Sequence, residues 1–171
     1  PPLQQSDLVP DFRLHRGAQE PKENRDLLDI QAWAEGTRFN AIDLFELLGE
    51  AIPTIPPEVR SRLDENPEVA AARAREAIGF AAEDQIGLLS RDRPNAPGRL
   101  RSTLERSGVL VLREGGLAKF KARGMCIYAE PLPVIVYSSE APSAQLFTIA
   151  HEFGHIALGE SAISGPPPGR G

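Results

Sequence analysis

Cysteine, methionine and tryptophan each occur once in the 171 residues, and histidine three times. A lone Cys126 excludes an internal disulfide, so the fold does not draw on an oxidising compartment. No apolar run is long enough to span a bilayer. The opening PPLQQSDLVPDF has neither the basic nor the apolar region of a secretory signal, so a cytoplasmic protein is expected. An excess of positive charge is also missing. The formal net charge is −5, which argues against a free-standing nucleic-acid clamp, and no direct nucleic-acid binding is expected. The chain opens on Pro1 rather than Met and closes on SGPPPGRG, which reads as a pair of cut ends around a fragment.

What is present is ordinary globular material, 41% hydrophobic and 25% charged. The length suits one core, or one core with a helical arm. Basic residues concentrate between Arg91 and Arg123. A solvated helix face is the simple reading; a docking surface for an acidic partner, or for DNA held by a partner, is the functional one.

The first half reads as helix. Asn24 can cap a helix from about Arg25, with Leu27, Leu28, Ile30 and Trp33 along it, and Gly36-Thr37 is expected to interrupt it. Ala41 to Leu48 forms a second run ending near Gly49. After the breaker IPTIPPE, helix is expected from about Glu58, pausing at Asn66-Pro67 and ending at Gly79. RDRPNAPG at 91–98 reads as a loop.

The pattern then changes. Arg99 to Ser107 reads as a short amphipathic helix with Leu100 and Leu104 inward. Val109–Leu112, Met125–Tyr128 and Val134–Tyr137 read as strands, the last two as an antiparallel pair across the Pro131–Pro133 turn, and Pro142–Leu158 as a helix. The class is α+β: a small, mostly antiparallel sheet covered by helices, behind a helical N-terminal half.

That last helix contains His151-Glu152-Phe153-Gly154-His155, an HExxH motif. At 100° per residue the two imidazoles lie about 40° apart and one turn apart, so both can reach one ion. Glu152, beside that face, can take the proton of a metal-held water and pass it to a leaving amine, since zinc lowers the pKa of such a water from 15.7 to about 7. Leu146, Ile149, Ala150, Phe153, Ile156 and Ala157 are expected to bury the opposite face. Gly154 is expected to let another backbone approach closely. The metal is zinc, with another divalent ion such as manganese as the alternative.

Catalytic zinc takes three protein ligands, and a third is not evident. Ser161 stands where the longer HExxHxxGxxH pattern has its last histidine. Glu160 falls about 140° round a continuing helix and serves only if Gly159 breaks that helix and swings it round. His15 is the remaining histidine. The main expectation places the third ligand beyond Gly171. An extended peptide adding to a sheet edge beside the metal favours peptide substrates over small molecules, with Met125–Tyr128 or Val134–Tyr137 as that edge.

The stretch PLPVIVYSSEAPSAQLFTIAHEFGHIALGESAISG resembles the ImmA/IrrE-type metallopeptidases of bacteria and their phages, and GVLVLREGGLAKFKARGMCIYAE is similar to the lead-in strand, Gly turn and second strand of that family. The resemblance implies a minimal zincin-like fold, a bacterial cytoplasmic setting, and cleavage or antagonism of helix-turn-helix repressors in stress, phage or toxin–antitoxin circuits. It implies zinc on His151 and His155, with Glu152 as base. In the family the third ligand is a Glu on a later helix, and nothing after Gly165 matches that pattern. The resulting partition is an extended arm at 1–23, a helical region at 24–95, a peptidase core at 96–165 that is truncated at its C-terminal side, and a disordered tail at 166–171. The alternative function is the partner-binding or sensor domain of a transcriptional regulator with a structural or vestigial metal site.

Overall fold

Strand-forming runs that are apolar at every position are buried on both faces, and here they form the middle of a sheet. The computed structural model describes residues 21–120 and 122–164, except for the side chains of 21–24 and 88–90. Strands β1 (Leu110–Arg113), β2 (Gly124–Ile127), β3 (Val134–Tyr137) and β4 (Ala162–Ser164) form one sheet in the order β1-β3-β2-β4. β2 and β3 are antiparallel, with Cys126 opposite Ile135. β1 runs parallel to β3, with Leu110 opposite Val134, and β4 runs antiparallel to β2, with Gly124 opposite Ser164. The sheet is therefore mixed. Neither strand expected at an edge lies there: β2 and β3 are central, and β1 and β4 are the edges among the described residues.

The two-residue alternation of the strands divides the core. Val111, Cys126, Ile135, Tyr137 and Ala162 face one way, into a cluster with Leu100, Leu104, Ile149, Phe153 and Ile156. Met125, Ile127, Val134, Val136 and Ile163 face the other way, against Leu27, Ala34 and Leu117. Helices α4 (Ala96–Arg106) and α5 (Pro142–Leu158) cover the first face, with α2 (Pro67–Ala77) adding Ala74 to the same cluster. Helix α1 (Pro21–Leu48) and the 3-10 turn Gly115–Phe120 cover the second. Helix α3 (Ala82–Arg91) packs near the start of α4.

Three local expectations are corrected. α1 starts at Pro21, ahead of Asn24, and passes through Gly36-Thr37 without a break. The buried stripe Leu27, Gln31, Ala34, Arg38 carries it across, and Thr37 Oγ1 donates to the Trp33 carbonyl at 2.8 Å. That packing outweighs the helix cost of one glycine, about 1 kcal/mol. Only a 3-10 turn, Pro57–Val59, forms after the Pro-rich breaker; α2 instead begins after Asn66, whose side chain accepts from the N–H groups of Glu68 and Val69 at 2.9 and 3.1 Å. The expected loop at 91–98 is the end of α3, a 3-10 turn and the first turn of α4. Pro97 is tolerated there because the first helical turn has no use for its missing N–H. Gly108 closes α4 at φ +82°, where an added Cβ would lie 2.4 Å from the Pro53 carbonyl oxygen, so no other residue fits that crossing.

Arg38 ties α1 to the turn between β2 and β3. Its Nε donates to the carbonyls of Pro131 and Leu132, both at 3.1 Å, and its Nη2 to Pro131 at 2.7 Å. Arg38→Ala is expected to destabilise the fold by about 1.5–3 kcal/mol, the range for hydrogen bonds from a charged donor. Arg38→Lys should recover less than half of that, because an ammonium cannot reproduce the fork. Chemical denaturation midpoints of the three proteins check both expectations.

Candidate active site

Pro142 at the first position and left-handed Gly159 after the last fix the bounds of α5 at Pro142 and Leu158. Gly159, at φ +76°, turns the chain so that the Glu160 N–H bonds the His155 carbonyl at 3.0 Å, and β4 follows three residues later. The helix is held by Leu146, Ile149, Phe153, Ile156 and Ala157, all buried as expected. Ala150 departs from expectation by being exposed.

The HExxH residues divide between two environments. His151 is exposed and His155 half-buried, with ring centroids 5.0 Å apart and planes at 87°. Phe147, one turn earlier and 63% exposed, stacks on His151 at 5.9 Å. Glu152 is 0% exposed. Its side chain lies in the helix–sheet interface, where neither carboxylate oxygen accepts a hydrogen bond of full geometry. The Ser164 hydroxyl and the Cys126 thiol are near enough to favour its charged form slightly. Burial dominates and raises the Glu152 pKa to about 7. Burial, and then the charge of Glu152, also push up the Cys126 thiol, which stays protonated. At His155, burial first and His151 second lower the pKa, with Glu160 opposing, so the imidazole is neutral near pH 7.

The seat of Glu152 is made by a residue the sequence did not single out. An ideal Cβ on Gly124, the first residue of β2, would lie 2.5 Å from Glu152 Oε1, 2.8 Å from Glu152 Cγ and 2.8 Å from Thr148 Cγ2. Thr148 and Glu152, at i and i+4, thus straddle the bare backbone of Gly124. On the other side of the histidines, Ala150 and Gly154 line a cavity of about 410 Å³ shared with Ala70, Ala74 and Ile78. Gly154 has no atom within 4 Å of an added Cβ, so it borders this space rather than a close-packed backbone.

Two imidazoles, one of them held neutral, beside a buried carboxylate suit a zinc ion in kind. Among the described residues, no group of three His, Cys, Asp or Glu side chains comes together to hold a metal. Glu160 is half-buried, and the contacts that place it are made by its backbone: its N–H to His155, and its carbonyl to the Cys126 thiol at 3.5 Å. His15 and the tail from 165 lie outside the described residues.

A carboxyl whose pKa is raised on folding is held protonated in the folded state while the unfolded chain ionises. Metal-free protein should therefore lose stability as pH climbs from about 4.5 to about 7, and level off above. In Glu152→Gln that slope should flatten, which thermal melts at pH 5, 6, 7 and 8 would show.

Residues 104–167 match the Peptidase M78 family, described as the IrrE N-terminal-like domain. That span takes in the end of α4, the whole sheet and α5. No curated protein and no solved structure matched the chain. No helix among the described residues is long and apolar enough to cross a membrane. Over residues 104–167, the span of the sheet and α5, the match supports a metallopeptidase-type family of the ImmA/IrrE kind.

Proposed function

We propose that this chain is a zinc-dependent endopeptidase of the ImmA/IrrE type, acting in the bacterial cytoplasm. It cleaves or antagonises a helix-turn-helix repressor in a stress, phage or toxin–antitoxin circuit. The observation that carries this reading is the pairing of two imidazoles 5.0 Å apart with a carboxylate buried on the same helix. His151 and His155 hold the ion, and a third ligand comes from outside the described residues. When bound, zinc supplies Lewis acidity to the scissile carbonyl and to the attacking water.

The chain's own residues do the rest. Glu152 takes the proton of the attacking water and delivers it to the leaving amine. Its raised pKa suits that exchange near neutral pH, because a base poised near the working pH both accepts and returns a proton. His155, neutral at that pH, offers a lone pair without first losing a proton. β4 follows α5 directly and is a sheet edge, so it is the strand positioned for an extended peptide to pair with.

A second reading has an observation of its own. Since no third ligand joins the two histidines among the described residues, the domain could instead serve as the sensor or partner-binding half of a regulator, with a structural or vestigial metal site. Incubating the full-length protein with zinc and an excess of a candidate helix-turn-helix repressor separates the two: specific cleavage supports the peptidase, while binding without cleavage supports the sensor.

Glu152→Gln should keep its metal and lose turnover by at least about 100-fold, the low end of what a general base contributes. Activity within about threefold of wild type would show another residue to be the base. His151→Ala and His155→Ala should each cut bound zinc sharply, read by elemental analysis; full occupancy in both would place the ion elsewhere. Zinc titrated into residues 1–171 should bind weakly, since loss of even an outer-sphere partner costs about 10–100-fold. Tight stoichiometric binding would put the third ligand within this chain, with Glu160 the first residue to mutate.

A further inference from the structure

We infer that Gly124 is a positioning residue for the general base: the absence of a side chain at the first residue of β2 holds the Glu152 carboxylate in place. The inference rests on the peptidase reading for its activity arm only.

Glycine is depleted in central strands, and its usual warrant is a backbone conformation other residues avoid. Gly124 has no such warrant. Its φ lies outside the left-handed range, and its backbone pairs regularly with Tyr137 on one side and Ser164 on the other. What it supplies is space. A methyl group there would meet three atoms at 2.5–2.8 Å, two of Glu152 and one of Thr148. Real contacts of a Cβ are not that short, so both side chains have to give, Glu152 from two contacts and Thr148 from one.

The surroundings decide which one gives more. Thr148 is β-branched and stiff at χ1. Its Oγ1 donates to Glu140 Oε2 at 3.4 Å, and Glu140 pairs with Arg123, the residue before Gly124, at 3.3 Å. Thr148 is thus anchored through a short relay to the same strand end. Glu152 has no comparable anchor, since neither of its oxygens accepts a hydrogen bond of full geometry. An added methyl therefore displaces Glu152 further than it displaces Thr148. The histidines are the less affected, because His151 is exposed on another face of α5 and none of the three atoms nearest the added methyl belongs to a histidine.

The test is Gly124→Ala, with a thermal cycle on metal-free protein as its second arm. In full-length protein that carries the third ligand and is loaded with zinc, kcat on a candidate repressor should fall about 10- to 100-fold, the penalty for misplacing a reacting group by about 1 Å. KM should stay within about twofold and zinc content should be unchanged. Turnover within about twofold of wild type would overturn the inference. In the metal-free cycle, G124A should lower Tm by about 3 °C or more in the wild-type background and by less than half as much in the Glu152→Ala background, where of the three short contacts only that with Thr148 Cγ2 remains. Equal losses in both backgrounds would overturn it, because Gly124 would then be needed for something other than Glu152. If G124A alone fails to fold, a folded G124A/E152A protein supports the seat and an unfolded one refutes it. Should E152Q prove as active as wild type, the peptidase role of Glu152 fails, and the thermal cycle alone decides whether Gly124 seats it.

Discussion

The approach of α5 to the start of β2 governs this molecule. A helix packed on a sheet normally meets it through apolar side chains, and Ile149, Phe153 and Ile156 do so here. At one point the contact is instead a carboxylate on bare strand backbone. Taking that carboxylate out of water costs free energy, which appears as its raised pKa. The cost is sustained because the apolar contacts on either side fix the helix. A helix free to rock would let Glu152 reach solvent, and the histidines would lose their orientation with it.

The opposite face of the sheet shares in that rigidity. The paired strands β2 and β3 are buried throughout, so each needs cover on both sides. α1 supplies it over its first half, through Leu27, Ala34 and the buried guanidinium of Arg38. Beyond Arg38 no residue of the helix is fully buried, and Leu47 and Leu48 are 83% and 65% exposed. Only the sheet-bound part of α1 therefore takes part in holding the site.

Much of this arrangement is written in local chemistry. Pro142 and Gly159 mark the two ends of α5, and an aliphatic run bounded by a proline turn marks the β2–β3 pair, so those elements can be read from the residues. The HExxH spacing likewise depends only on helical geometry. Other features depend on distant partners. β4 is three residues long, too short for any periodicity to emerge, and exists because β2 offers it an unpaired edge. The continuity of α1 through Gly36 reflects the sheet beneath it rather than propensity. The burial of Glu152 was invisible for the same reason: nothing in HExxH states which strand the glutamate will meet. One faint signal was available, a glycine opening an otherwise apolar strand without a turn to explain it.

The strand order also carries a consequence for how the chain reaches this state. β2 and β3 are neighbours in sequence and close as a hairpin at little entropic cost. β1 must then pair in parallel with β3 across the inserted hairpin, and β4 must return to β2 only after the whole of α5 has been laid down. Pairings of greater sequence separation form later. The sheet therefore grows outward from its middle, and the edge that brings Ser164 beside Glu152 is the last to be added. The Glu152 carboxylate would be walled in at the final step of folding, so an immature chain would leave it open to water and at its ordinary acidity.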